Sequence, residues 1–244
     1  MSEWFKEWFN SSEYLDVYSH RDIRDAENAL ILIRNNYDFK GGSKVLDAAC
    51  GTGRFSNLFA EEGFDVTSFD LSMQLLKNAQ RKSYKDHFNV KFFRSDIRNV
   101  PLNGSFDLIL NMFTSFGYFV TDNENFSFIR KAIELLNDKG YFIFDYLNKD
   151  YVTNNLIPRS QKTFADKIVT EERKINRNRI EKKIMIESEK GIKYFQESVL
   201  MYSKDEILSG FNSCGFNVDK IFGDYFGNSF NDLTSERLLI FFAK

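Results

Sequence analysis

Two cysteines, two histidines and two prolines are all that this chain of 244 residues holds of those types. Cys50 and Cys214 are too few to build a zinc cluster on their own. They read as free thiols in a reducing compartment. A basic surplus is missing too: 33 Lys and Arg against 35 Asp and Glu leave a net charge of -2. A broad face for duplex nucleic acid needs an excess of positive charge. No run approaches the roughly 18 apolar residues of a membrane span. The first ten residues carry Glu3 and Glu7 among aromatics and lack the basic start and apolar run of a secretory leader. No fixed-period repeat or low-complexity linker is present. The expectation is a cytoplasmic, folded chain with no membrane or nucleic-acid partner.

What is abundant is phenylalanine, 27 copies in a chain that is 43% hydrophobic and 28% charged. That is enough apolar surface for a substantial core. Apolar residues at helical spacing begin with Trp4, Phe5, Trp8 and Phe9 and continue through Ile23, Ala26, Ala29, Leu30 and Ile33. Strands and helices then alternate. Strands are predicted near 45–46, 66–69, 90–93, 106–110 and 141–144, with helices between them. Such alternation implies right-handed crossovers and a mainly parallel, doubly wound α/β sheet. After residue 150 the period changes to two, as in Ile180, Lys182, Ile184 and Ile186, which marks an antiparallel insertion. A helix near 204–214 and two strands near 217–224 and 237–243 close the chain. The expected organisation is a helical lid over 1–40, a core from 41–150 and 203–244, and an antiparallel insertion over 151–202.

The chemistry concentrates in Val45-Leu46-Asp47-Ala48-Ala49-Cys50-Gly51-Thr52-Gly53-Arg54-Phe55. A glycine turn between strand and helix lets backbone approach a ligand that a Cβ would block. Asp47, four residues before Gly51, suits the cationic end of a bound amino acid. Ser56 stands where a dinucleotide-binding turn carries its third glycine. Asp70 ends the second strand, where a carboxylate can accept both ribose hydroxyls. Asp96-Ile97 follows the third strand, suited to an adenine amino group and ring.

These segments, with Phe69-Asp70-Leu71-Ser72, Ser95-Asp96-Ile97, Phe106-Asp107-Leu108-Ile109 and Leu135 to Tyr141, resemble the class I S-adenosylmethionine-dependent methyltransferases. The likeness covers residues 40–150 closely. It implies a Rossmann-like seven-stranded mixed sheet whose last strand is antiparallel. It implies S-adenosyl-L-methionine as cofactor, with Asp47, Ala49, Gly51 and Gly53 at the methionine end. Asp70 and Leu71 would meet the ribose, Asp96 and Ile97 the adenine. Asn111 and Met112 would border the cofactor, as would Tyr18 and Arg24 from the N-terminal segment. No metal is implied. The run from Asn111 to Phe119 is similar to bacterial small-molecule methyltransferases, some of which act on amines. The Asn-Pro-Pro-Tyr tetrad and the Pro-Cys pair of nucleobase enzymes are absent.

Transfer from a sulfonium needs position more than acid–base power. His20, Tyr118 and Tyr146 are the catalytic candidates, and Phe116, Asn148 and Arg237 the candidates for acceptor binding. His87 reads as a surface residue. Lys174, Arg177, Arg179, Lys182 and Lys183 read as a solvated basic strand face, with contact to an acidic substrate or RNA as the alternative. The expected partner is a small-molecule methyl acceptor, taken on nitrogen or oxygen by a monomer or homodimer. Two other readings stay open. One is a non-catalytic S-adenosylmethionine-binding module acting through a partner; the other is a nicotinamide-dependent oxidoreductase, marked by preference for NAD.

Overall fold

The structure, a computed structural model, describes residues 3–18 and 23–244. The first half runs α1 (Trp4–Trp8), α2 (Ser12–Val17), α3 (Ile23–Asn36), β1 (Lys44–Ala48), α4 (Arg54–Glu61), β2 (Asp65–Asp70), α5 (Met73–Lys85), β3 (Val90–Arg94), β4 (Phe106–Asn111), α6 (Asp122–Asn125), α7 (Ser127–Leu135) and β5 (Leu136–Leu147). The second half runs α8 (Lys149–Asn154), β6 (Arg159–Phe164), β7 (Lys167–Asn176), β8 (Arg179–Ser188), β9 (Gly191–Leu200), α9 (Lys204–Ser213), β10 (Asn217–Phe222) and β11 (Arg237–Ala243).

One sheet has seven strands in the order β10-β11-β5-β4-β1-β2-β3. β1 to β5 pair in parallel, and β11 lies antiparallel to both β5 and β10. This matches the mixed sheet expected from the sequence. The strands read as apolar runs because both faces are covered. On one face Val45, Leu108, Leu110, Ile143 and Phe241 pack with Ala29, Ile33, Phe55 and Phe59 of α3 and α4. On the other, Leu46, Ile109, Phe142, Phe144 and Phe242 meet Phe128, Ile129 and Ala132 of α7 and Phe211 of α9. Residues one apart thus serve opposite cores, as the two-residue period of a strand requires.

Expected as part of a lid over residues 1–40, α3 instead forms a layer of the core; its stripe of Ala26, Ala29, Leu30 and Ile33 is buried against the sheet. Among the described residues before α3, α1 and α2 lie over the insertion, a four-stranded antiparallel sheet in the order β6-β7-β8-β9. Trp8 packs on Phe195 at 4.5 Å between ring centres, and Val169, Ile184 and Ile186 complete a third cluster with Trp4, Phe5 and Val17. Lys162 donates to the Val17 carbonyl, and Lys167 pairs with Asp16.

The basic strand face expected of the insertion is also corrected at two positions. Arg179 is buried. Its guanidinium donates to the carbonyls of Gly117 (3.3 Å), Tyr118 (3.2 Å), Phe119 (3.0 Å) and Ser198 (2.8 Å), and to the Ser198 hydroxyl (2.9 Å). Gly117, at φ +85°, could not carry a Cβ, which would lie 2.6 Å from the Leu200 carbonyl. The loop after β4 is therefore stapled to the insertion by one side chain. Lys182 turns inward as well, onto the same face as Ile184 and Ile186.

Removing the staple leaves several buried carbonyls without their donor. Arg179→Ala should lower stability by on the order of 3 kcal/mol, with Arg179→Lys recovering part. Denaturant unfolding checks this, and a loss within experimental error would contradict the stapling role.

Candidate functional site

The site assembles at the carboxyl ends of β1, β2 and β3, where a doubly wound sheet opens its cleft. β1 ends in a turn held in the left-handed region at Ala49 (φ 56°), Gly51 (φ 56°) and Gly53 (φ 70°). The Cys50 N–H donates to the Phe69 carbonyl at 2.9 Å, tying the turn to β2. Asp70 then takes the Gly51 N–H on one oxygen and the Ser72 N–H on the other, each at 2.8 Å. The Ser72 hydroxyl accepts from Leu75 N as the cap of α5 and donates to the Phe9 carbonyl at 2.7 Å, anchoring the lid.

A cavity of about 500 Å³ lies over these ends, within the range that takes a small molecule or cofactor. Asp47, Ala49, Gly51, Asp70, Leu71 and Asp96 line it, with Ile97, Met112, Tyr18, Tyr118 and Arg237. Gly51 is informative. An added Cβ there meets no protein atom within 4 Å, so the space it leaves open is the cavity itself. Gly53 is different: its Cβ would strike Ala79 Cβ at 2.9 Å and Phe92 at 3.3 Å. That glycine permits α4 to pack closely on α5 and β3.

Three carboxylates share the cavity in different states. Asp47 is 2% exposed and accepts the Ser56 hydroxyl at 2.6 Å; burial lifts it to about 6 despite that bond. Ser56, where a third glycine was missing, thus holds the acid in place. Burial also raises Asp70, against the pull of the backbone N–H donors on it. Asp96 is partly buried, yet Arg98 holds it below the usual carboxylate range, gripping both its oxygens at 3.0 and 2.7 Å. Arg98 in turn lies over the Phe119 ring at 4.5 Å.

Several expected site residues sit elsewhere. Tyr146 is fully buried, and its hydroxyl donates to the Leu200 carbonyl. Phe116 packs edge-on to Phe126 and Phe144 in the core. Asn148 caps α8 and donates to the Asp232 and Ser235 carbonyls at 2.8 Å. Asn111 donates to the Ala48 carbonyl at 3.2 Å, bracing β4 on β1 from behind the cavity wall. Arg24 is exposed on the first turn of α3 and is not among the residues that line the cavity. His20 lies outside the described residues.

The roof holds a cluster that the sequence reading missed. Glu197 of β9 accepts Trp8 Nε1 at 2.7 Å and the Tyr18 hydroxyl at 2.5 Å on one oxygen. Its other oxygen pairs with Lys182 at 3.0 Å, which also donates to the Tyr18 oxygen at 2.7 Å. Burial works upward on Glu197, but Lys182 and these donors keep it below its ordinary range. Lys182 shares the phase of Ile180 and Ile184, and that phase was the available signal. At the far wall Arg237 donates to Asp145 at 2.9 Å and to the Thr114 hydroxyl at 3.0 Å. Asp145, fully buried, also takes the Phe113 N–H at 2.8 Å and the Tyr225 hydroxyl at 2.6 Å. It thereby fixes Phe113 and Thr114, both at positive φ.

A methyltransferase-domain family model matches residues 45–140. Glycine N-methyltransferase of Rattus norvegicus is 30% identical over 125 residues, 46% of this chain and 43% of that one. The dTDP-3-amino-3,4,6-trideoxy-alpha-D-glucopyranose N,N-dimethyltransferase of Streptomyces venezuelae is 25% identical over 190 residues, 74% of this chain and 78% of that one. The chain spans about half the length of most curated relatives it matches. A S-adenosylmethionine-dependent methyltransferase from Clostridium acetobutylicum shares the fold at a TM-score of 0.82 and 19% identity, over 95% of this chain and 97% of that one. Among the described residues no helix is long and apolar enough to cross a membrane.

The Asp47 acid carries a pH signature. Unfolded, it loses its proton near pH 4; folded, it holds it to about 6. The ligand-free fold is therefore penalised increasingly as pH rises from about 4 to about 6, and fully above that. Asp47→Asn removes the penalty. At pH 7 the variant should be more stable by about 3 kcal/mol, a gain that fades by about pH 4. Thermal denaturation across pH checks this; a variant less stable at pH 7 would contradict it.

Proposed function

We propose that this chain, whose residues 45–140 match a methyltransferase-domain model, is a class I S-adenosylmethionine-dependent methyltransferase that methylates a small-molecule acceptor in the cytoplasm, at an amine nitrogen in preference to a hydroxyl oxygen. The observation that carries the reading is one cavity lined by Asp47, Asp70 and Asp96, from three neighbouring strand ends, with the open Gly51 beside them. Their order along the cleft fits an ammonium, a ribose diol and an adenine amino group.

S-adenosylmethionine, when bound, supplies a methyl group already activated on a sulfonium, suited to in-line displacement by an acceptor. The chain's own part is placement and exclusion of water. Asp47 takes the ammonium of the cofactor's amino-acid end, and Arg54, over the Phe113 ring at 4.2 Å, offers a cation to its carboxylate. Asp70 keeps both oxygens turned to the sugar because two backbone N–H groups hold it. Leu71 and Ile97 flank the nucleoside. Trp4, Phe5 and Phe9 close over it and dry the site.

On the acceptor side, Tyr118 offers an aromatic face to positive charge, and Arg237 with Thr114 offers hydrogen-bond donors. A neutral amine needs no strong base during attack, only an exit for its proton. The Tyr18 hydroxyl gives its proton to Glu197 and takes one from Lys182, so it suits a hydrogen-bonding role better than that of a base. Both relatives described above are named for N-methylation, which supports the amine.

Calorimetry with S-adenosylmethionine tests the cofactor reading: the folded protein should bind, and Asp70→Ala should weaken binding by on the order of 1–3 kcal/mol. No detectable binding would overturn it. Transfer of label from methyl-labelled cofactor to amines, set against their hydroxyl counterparts, tests the acceptor reading. Labelling confined to the hydroxyl compounds would defeat the amine assignment.

A further inference from the structure

Asp96 lines the cavity with its side chain 26% exposed, and most of its bonding capacity is already spent. An ionised carboxylate accepts about four hydrogen bonds. One Asp96 oxygen takes the Arg98 backbone N–H at 2.9 Å and Arg98 Nε at 3.0 Å, and the other takes Arg98 Nη2 at 2.7 Å. Among the described residues no other donor reaches this carboxylate. One acceptor position is therefore left, on the oxygen that Nη2 holds.

The guanidinium that does this is itself pinned. Nη2 also donates to Glu3, just before α1, at 2.8 Å, and Nη1 donates to Glu124 of α6 at 3.2 Å. The same group lies over the Phe119 ring at 4.5 Å. A planar fork held by so many partners is kept from turning away from Asp96. Burial pushes the Asp96 carboxyl up, yet the Arg98 bonds hold it below the usual carboxylate range. It stays ionised near neutral pH and can only accept. Leu71 and Ile97 line the same cavity and give it an apolar wall.

We infer that Arg98 sets the base specificity of the cofactor site by presenting one acceptor-only oxygen of Asp96 to the amino group of adenine, an inference that rests on the cofactor reading above. The amino group donates to that oxygen. A carbonyl in the same place would set two acceptors against each other in a partly buried site and leave both unmet. Arg98 acts through Asp96, so it is a positioning residue. Its bond to Glu3 also ties the start of the lid to the base end of the cavity.

Calorimetry of the full chain with S-adenosylhomocysteine and S-inosylhomocysteine, which carries a carbonyl in place of the amino group, reads the contact. The unaltered chain should bind the inosyl compound about tenfold more weakly. Arg98→Met releases the Asp96 side chain. It should weaken S-adenosylhomocysteine about three- to tenfold and the inosyl compound little, so that the preference narrows. Arg98→Lys keeps the charge but loses the planar fork; it should narrow the preference in part, and it carries the comparison if Arg98→Met does not fold. Equal affinity of the unaltered chain for the two ligands would overturn the inference. So would a preference that the substitutions leave intact, whether both affinities hold or both fall together as a loss of packing. Failure of the unaltered chain to bind S-adenosylhomocysteine would instead strike the cofactor reading itself.

Discussion

The Asp70 carboxylate joins three parts of the molecule that sequence keeps apart. One oxygen holds the Gly51 N–H of the turn after β1, and the other holds the Ser72 N–H that starts α5. Ser72 then reaches to Phe9 and Asn10 in the lid. Turn and helix start therefore meet on a single buried acid, and the lid joins them through the Ser72 hydroxyl. The arrangement costs free energy, since burial raises the acid against its backbone donors. It is bearable because charge-assisted bonds to backbone N–H groups are among the stronger hydrogen bonds a protein makes.

The rest of the chamber is built by the same device, a buried charge organising backbone. Asp145 holds the left-handed Phe113-Thr114 turn and orients Arg237. Arg179 gathers the carbonyls of Gly117, Tyr118 and Phe119 and so fixes the loop that carries Tyr118. Glu197 ties Trp8 and Tyr18 of the lid to the insertion. The floor of the cavity comes from the parallel sheet, and the roof from elements added to it. The floor is the part suited to the cofactor. On the proposed reading the acceptor meets the roof and the loop after β4, which is why fold alone does not name it.

The floor was legible in the sequence because each of its signals is local. A glycine turn, a strand-end carboxylate and a Ser cap are each written within a few residues. Gly53 carries a packing constraint from Ala79 and Phe92, residues distant in sequence, that the local motif does not show. Tyr146 and Phe116 were placed near the acceptor from their position at strand ends. The strand's alternation sends Tyr146 with Phe142 and Phe144 into the core. Lys182 and Arg179 were read as solvated from charge alone, although Lys182 shares the phase of the inward isoleucines. The Glu197 cluster joins α1, α2 and β9 across about 180 residues, and no local pattern carries such a contact.

The central claim is that a sugar lies on the Asp70 carboxylate while its base lies by Asp96 and its amino-acid tail crosses the Gly51 turn. A crystal structure with S-adenosylhomocysteine reads this directly. The account predicts both ribose hydroxyls within about 2.6–3.2 Å of the Asp70 oxygens, with Gly51 and Ser72 still bonded to that acid. A nucleoside lodged elsewhere, or a ribose whose hydroxyls face away from Asp70, would contradict it.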